Sequence, residues 1–186
     1  MTIEVIRSIK KLSFVVIITA SSFALPVSSL GQSVVSSELN GQAACANVKF
    51  HNLKRYKHNW SGVFRDKEVA PVLRRLLKND YRLLIWSLKS VSYPENSFSF
   101  VDRNGVLTLR GFVPGLGTIM EALLIVEPCG NIYAGILDNN RFLYFSNDKE
   151  YIERMSPVMD QWRIGIEQLR SQLEKTPELP VVFKSK

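Results

Sequence analysis

The spacing of apolar residues changes near residue 96, and this change constrains the fold more than any other feature of the chain. Before it, apolar residues recur three and four positions apart, which predicts one continuous amphipathic helix. The apolar face of this helix consists of Val69, Val72, Leu73, Leu76, Leu77, Tyr81, Leu84, Ile85 and Leu88. Pro71 falls in the first turn, where its missing N–H costs no hydrogen bond. After residue 96 the apolar residues follow the two-residue period of strands.

Five strands are predicted beyond that point, joined by short turns. They cover residues 97–101, 106–113, 121–127, 132–138 and 141–145. Asn104 and Gly105 favour a hairpin because both residue types tolerate positive φ. The stretch Pro128-Cys129-Gly130-Asn131 has the composition of a turn. Strands that follow one another through short turns predict an antiparallel meander.

A second amphipathic helix follows the strands. Ser156 can cap this helix, with Pro157 at its first position. Its buried stripe is formed by Val158, Met159, Trp162, Ile166, Leu169 and Leu173. We therefore predict an α+β fold, in which a five-stranded antiparallel meander is covered by an N-terminal and a C-terminal amphipathic helix.

Residues 1–31 have the order of a secretory signal peptide. A basic start is followed by an apolar run from Leu12 to Leu25 and by a small-residue site that ends at Gly31. The pattern predicts export across the inner membrane to the periplasm. An uncleaved N-terminal anchor is the alternative, although the run is shorter than the roughly 20 residues that span a bilayer.

Composition also divides the rest of the chain. Residues 32–47 are rich in Ser, Gln, Ala and Gly, which predicts a linker. Residues 48–175 are predicted to form a single domain, and residues 176–186, with two prolines, a loosely ordered tail.

Positive charge is concentrated in one part of the chain. Residues 49–82 hold ten Lys and Arg against three acids. Without the signal, which carries three bases and one acid, the net charge falls from +7 to +5. A one-sided basic surface favours an anionic partner, namely an acidic protein, a phospholipid headgroup or an envelope polymer, and export argues against nucleic acid. A solvated helix face is the alternative. The candidate patch consists of Lys54, Arg55, Lys57, Arg74, Arg75, Lys78 and Arg82.

Two cysteines, Cys45 and Cys129, lie beyond the signal. In an exported protein a single pair predicts one disulfide, which would fix the N-terminal segment to a turn of the sheet. The spacing of these cysteines fits no metal motif, and neither His51 nor His58 has a cysteine or carboxylate at metal-ligand spacing. No metal or cofactor is predicted.

No motif in the sequence groups residues for catalysis, and the Gly-x-Ser-x-Gly nucleophile elbow does not occur. We therefore predict a binding protein and no catalytic residue. The rival hypothesis is a hydrolase of envelope polymers that uses Glu121, Asp138 or Asp148 with a histidine brought close by the fold. A histidine–carboxylate pair inside a cleft would support that rival.

Two loops are candidates for partner binding. The first is Pro114, Gly115, Leu116, Gly117 and Thr118, where glycine lets a backbone approach closely. The second is the turn with Pro128, Gly130 and Asn131. In a meander the turns at 102–105 and 128–131 share one end of the sheet, and those at 114–118 and 139–140 share the other.

The predicted order of helix, five strands and helix over residues 66–146 resembles the inhibitor of vertebrate lysozyme family. The resemblance implies a periplasmic protein with a helix-flanked sheet that blocks an enzyme's cleft with a loop. That family's loop carries a histidine between two nearby cysteines, whereas Pro128-Cys129-Gly130-Asn131 holds none, so no inhibitory residue is carried over. The basic charge also argues against a basic lysozyme as the target.

The sequence therefore predicts an exported protein-binding protein, an inhibitor or immunity protein that neutralises an envelope-acting enzyme or toxin. Besides the hydrolase, a second alternative is a protein that associates weakly with membrane or lipopolysaccharide through the basic and aromatic stretch at residues 49–65.

Overall fold

The computed structural model of the protein describes residues 47–89, 99–113, 119–174 and 179–184. Within these residues one sheet contains six strands in chain order: β1 Ser99–Val101, β2 Leu107–Phe112, β3 Met120–Val126, β4 Ile132–Asp138, β5 Arg141–Ser146 and β6 Val181–Phe183. The α-helices are α1 Val69–Leu77, α2 Tyr81–Lys89 and α3 Pro157–Glu174. Short 3-10 helices cover Leu53–Lys57, Trp60–Arg65, Lys78–Asp80 and Lys149–Tyr151. The predicted α+β class is confirmed.

The sheet has six strands where five were predicted. β1 to β5 pair antiparallel in chain order, and β6 adds to β5 in parallel. The loosely ordered tail predicted for residues 176–186 is therefore wrong at Val181–Phe183. These residues have high strand propensity, and they cover backbone groups that the edge of β5 would otherwise leave unpaired. The rings of Phe183 and Tyr144 also meet, with centroids 5.7 Å apart.

The helix predicted over residues 69–88 is divided into α1 and α2. Lys78 lies at the break with φ 48° and ψ −116°, a conformation that L-residues other than glycine rarely adopt. Strain of this kind costs about 1–3 kcal/mol. Pro71 lies in the first turn of α1, as predicted. The apolar spacing continues across the break, and the buried side chains of α1 and α2 join one core.

The helices cover both faces of the sheet, so the molecule has three layers. α1, α2 and the first two 3-10 helices pack on one face, and α3 packs on the other. α3 begins at Pro157 as predicted, but the hydroxyl of Ser156 makes no capping hydrogen bond to a described residue. Both faces of the central strands are buried, which explains their nearly continuous apolar sequences.

A strand glycine lies beneath each helical layer. A Cβ added to Gly111 of β2 would lie 2.6 Å from the Cα of Leu88 and 2.8 Å from the carbonyl oxygen of Ser87 in α2. On the other face, a Cβ on Gly135 of β4 would lie 2.7 Å from the indole of Trp162 in α3. Both helices approach the sheet closely because these two positions have no side chain.

The turns at 102–105 and 128–131 lie at the same end of the sheet, as predicted. A Cβ on Gly105 would be 3.3 Å from Pro128 Cγ, so the 102–105 and 128–131 turns meet at one end. At the other end, Asn139 N–H donates to the carbonyl of Ile119 at 2.9 Å. The predicted partner loop 114–118 lies outside the described residues.

Candidate anion-binding surface

The helical layer formed by residues 49–89, called the basic layer below, carries a large excess of positive charge. It holds eleven Lys and Arg against three acids. All seven residues of the predicted patch are exposed. The three acids of the layer are Asp66, Glu68 and Asp80, and each has a defined partner.

Asp66 is buried at the start of α1. Its Oδ1 accepts hydrogen bonds from the backbone N–H groups of Glu68 at 2.7 Å and Val69 at 2.9 Å, so its side chain caps the helix. Its Oδ2 accepts from the hydroxyl of Tyr56 at 2.5 Å and pairs with the guanidinium of Arg55. Burial alone would raise the pKa of Asp66, but the hydrogen bonds outweigh it and the pKa is lowered.

Arg55 therefore differs from the other residues of the predicted patch. Its side chain is exposed, but its charge is already paired with Asp66. The sequence pattern did not reveal this pair. Arg55 lies in the first 3-10 helix and Asp66 follows the second, and only the tertiary fold brings the two side chains together.

The other two acids of the basic layer also have partners, a lysine for Asp80 and a histidine for Glu68. Asp80 lies 3.3 Å from Nζ of Lys184, which follows β6. Glu68 accepts a hydrogen bond from the backbone N–H of His51 at 2.8 Å and lies 3.2 Å from Nδ1 of the same residue. These contacts lower the pKa of Glu68, the backbone hydrogen bond from His51 most of all. The His51 side chain is 62% exposed, so this histidine–carboxylate pair lies on the surface and not inside a cleft.

The remaining bases of the layer have no carboxylate within ion-pair distance among the described residues. Leaving aside Lys49 and Lys89 at the two ends of the layer, we call the other eight the basic surface: Lys54, Lys57, Arg65, Lys67, Arg74, Arg75, Lys78 and Arg82. Arg65 and Lys67 were not selected from the sequence, because no helical pattern placed them beside the others. Arg74 stacks over the ring of Tyr81, with its guanidinium 5.7 Å from the ring centroid.

The aromatic residues of the stretch 49–65 point into the molecule. Phe50, Tyr56 and Phe64 are 4 to 6% exposed and belong to the core. Trp60 is half-buried and packs edge to face on Phe64, with ring centroids 6.2 Å apart. The bases of this stretch therefore face solvent without the exposed aromatic side chains that anchor proteins at a membrane interface.

Each of the three acids in the rival hydrolase hypothesis has an arginine or tyrosine partner. Asp138 pairs with Arg141 at 2.6 Å, and Asp148 accepts a hydrogen bond from the hydroxyl of Tyr133 at 2.7 Å. Glu121 is buried and lies 3.3 Å from the guanidinium of Arg110. Burial raises the pKa of Glu121, and Arg110 offsets part of that rise. Neither histidine pairs with any of these three acids, and no group of residues suited to a metal ion occurs in the described part of the chain.

The second predicted partner loop is packed into the fold. Pro128 and Gly130 are buried, and the Pro128 carbonyl accepts hydrogen bonds from the N–H groups of Lys49 at 2.7 Å and Phe50 at 3.0 Å. Asn131 Nδ2 donates to Glu127 at 3.0 Å. The turn therefore anchors the N-terminal segment, and Pro128 and Gly130 present little surface to a partner.

Neither a known protein family, nor a curated protein, nor a solved structure matches this chain. Among the described residues, no helix is long and apolar enough to cross a bilayer. The resemblance to the lysozyme inhibitors stays a prediction, and the function has to be argued from the basic surface.

Proposed function

We propose that the protein is an exported, periplasmic binding protein of the inhibitor or immunity type, which uses the basic surface to bind an acidic protein. The observation that carries this proposal is an imbalance within one layer. All three acids of the basic layer have described partners, Arg55, His51 and Lys184, while the eight exposed bases of the basic surface have no described carboxylate partner. Complementary charge on a partner would give fast and selective association.

A protein partner fits this surface better than a membrane. Binding at a membrane interface combines basic residues with exposed aromatic or aliphatic side chains. In the stretch 49–65 three of the four aromatic residues are buried. Trp86 of α2, 47% exposed, is the one large aromatic side chain that the described part of the basic layer exposes, so charge dominates this surface and suits a polar, acidic protein surface.

A disulfide between Cys45 and Cys129 is part of the proposal. Cys129 lies in the turn between β3 and β4, and Cys45 lies outside the described residues. The support is the position of Lys49, which is hydrogen-bonded to the carbonyl of Pro128. Cys45 precedes Lys49 by four residues, so the chain brings it within reach of the turn. Mass spectrometry of the secreted protein with and without reductant tests both the bridge and removal of residues 1–31.

Capture from periplasmic extracts of the producing cell and of its competitors tests the function itself. The bait is the mature protein, and two double variants are compared with it. Arg75→Glu with Arg82→Glu reverses two charges of the basic surface. Arg103→Glu with Lys149→Glu reverses two exposed bases that lie elsewhere and have no described carboxylate partner.

Both double variants change the net charge by the same amount, so a nonspecific effect of charge would be equal in them. We expect an acidic protein that the unmodified protein captures to be lost by the first variant and retained by the second. The proposal would be contradicted if both double variants retained the partner equally. It would also be contradicted if the unmodified protein captured membrane vesicles and no protein.

A further inference from the structure

The break between α1 and α2 has a backbone conformation that its residue type does not favour. Three residues other than glycine have positive φ in the described part of the chain: Asn52, Lys78 and Asn139. Asparagine tolerates this region because its side chain bonds locally, whereas lysine has no such compensation. A glycine at position 78 would adopt the same backbone without strain.

The charges around Lys78 repel one another. Arg74 lies four residues before Lys78 and Arg82 four residues after it, and Arg75 is three residues away. Up to the break this spacing is helical, because the Lys78 N–H donates to the carbonyl of Arg74. Arg74, Arg75 and Lys78 are therefore neighbours, and like charges at such spacing are unfavourable. The helix dipole favours bases in the last turn of α1. It does not explain the bases that continue beyond the end of that helix.

The one acid within residues 69–89 does not relieve this repulsion. Asp80 is paired with Lys184, a residue contributed by the C-terminal strand. At the same time Arg74 is held on the ring of Tyr81, whose hydroxyl donates to the carbonyl of Phe64 at 3.2 Å. The side chain of Arg74 is thus positioned across the break before any partner binds.

We infer that the break between α1 and α2 is the docking point for a carboxylate-rich segment of the acidic protein partner, with Arg74, Arg75, Lys78 and Arg82 as its contacts. This inference rests on the proposed function and adds the location and the chemistry of recognition. An acidic segment placed there would reduce the repulsion among Arg74, Arg75 and Lys78, so binding would remove an unfavourable interaction that the free protein carries.

The test uses Lys78→Gly in the intact mature protein, with Asn139→Gly as its matched control. Asn139 also has positive φ, at 56°, but lies in the turn between β4 and β5. Its N–H and carbonyl make backbone contacts that glycine would keep. Binding is measured as the fluorescence anisotropy of a labelled deca-aspartate peptide in low salt, and the melting temperature of each variant is recorded.

We expect Lys78→Gly to raise the melting temperature and to weaken peptide binding at least threefold. Asn139→Gly should leave binding within experimental error, and Lys78→Arg should preserve it. Unchanged binding in Lys78→Gly would overturn the inference, and so would wild-type protein that binds vesicles of phosphatidylglycerol but not the peptide.

Failure of this inference can be told apart from failure of the proposed function. If the double variant Arg75→Glu with Arg82→Glu loses its captured partner while Lys78→Gly binds the peptide normally, the proposed function stands and the docking point centred on Lys78 is wrong. If the double variant keeps its partner, the proposed function fails as well.

Discussion

The two helical layers cover the same sheet in the same way, but they treat their charges differently. Each layer lies over a strand glycine, Gly111 beneath α2 and Gly135 beneath α3. The basic layer has eleven bases and three acids, whereas residues 148–174, called the α3 layer here, have four bases and six acids. In the α3 layer Arg163 lies between Asp160 at 2.9 Å and Glu167 at 2.6 Å.

The comparison separates charges that serve the fold from charges left for another molecule. Arg154 of the α3 layer also has a partner, Glu150 at 2.5 Å, in the segment before α3. Within α3, an i,i+4 pair such as that of Arg163 and Glu167 stabilises a helix by about 0.3–0.5 kcal/mol. On α1 no acid lies three or four residues from Arg74 or Arg75, so neither side chain gains an ion pair of this kind within its helix.

The largest effect is expected where the basic layer does use an acid for its own stability. Asp66→Ala removes the cap of α1 and leaves the buried hydroxyl of Tyr56 without its acceptor. Together these losses should lower the free energy of unfolding by about 3 kcal/mol. Urea denaturation measures the change. A loss below about 1 kcal/mol would show that the Asp66 cluster does not hold α1 in place.

The dependence of stability on acid pH is a second test of the role of Asp66. The pKa of Asp66 is lower in the folded than in the unfolded protein, so its charged form stabilises the fold at every pH above its ordinary value of 3.8. This contribution is lost as the pH falls from there through the folded pKa. Asp66→Asn should flatten the decline of stability below about pH 4. An unchanged acid limb would contradict the assignment.

The next effect concerns the close approach of each layer to the sheet. Gly111→Ala places a methyl group against the backbone of α2, which cannot move without shifting the helix, and should cost about 2–3 kcal/mol. Gly135→Ala meets side chains of Trp162, Phe142 and Met159, which can adjust, and should cost about 1–2 kcal/mol. Equal melting temperatures for the two variants would show that the two helical layers accommodate the added methyl group equally well.

Removal of one arginine from each layer tests the charge comparison directly. Arg163→Met breaks two ion pairs of a side chain that is 17% exposed, and should cost about 1 kcal/mol. Arg75→Met removes no described ion pair, and should change stability by less than about 0.5 kcal/mol. Chemical denaturation of both variants in low and high salt gives the comparison. Similar losses in the two would mean that Arg75 has a structural partner after all.

The smallest effect is expected at Glu121, on the sheet face that carries α3. Its pKa is raised by burial, so its protonated form favours the fold at low pH and this advantage is lost as the pH rises through the folded pKa. Glu121→Gln imitates the protonated form. The variant should equal the unmodified protein near pH 4 and be more stable by up to about 1 kcal/mol at pH 7. A variant that is less stable at pH 7 would show that the Arg110 pair outweighs burial.

Local patterns predicted those parts of the fold that depend on neighbouring residues. β4 has the bounds predicted, and β5 differs by one residue. Alternation and turn residues are enough to place strands joined by short turns. β6 was missed because its pairing depends on the free edge of β5, which no local pattern of the tail encodes. The break at Lys78 was missed because the apolar spacing continues through it and lysine carries no turn signal.

The candidate surface was predictable for a similar reason. Exposure of Arg74, Arg75, Lys78 and Arg82 follows from their positions off the apolar face of the helix. What each charge contacts is a tertiary property. The pairing of Arg55 with Asp66 and of Asp80 with Lys184 could not be read from sequence, and these contacts determine which charges are left over.

The salt dependence of binding tests most directly whether the basic surface, and not the α3 layer, recognises the partner. Affinity for the captured partner is measured at two salt concentrations for the unmodified protein and for the two double variants. We predict that Arg75→Glu with Arg82→Glu weakens binding at least tenfold in low salt and reduces its dependence on salt. Arg103→Glu with Lys149→Glu should keep the affinity within about twofold and leave the salt dependence unchanged. Equal losses in both double variants, or binding that does not respond to salt, would contradict the account.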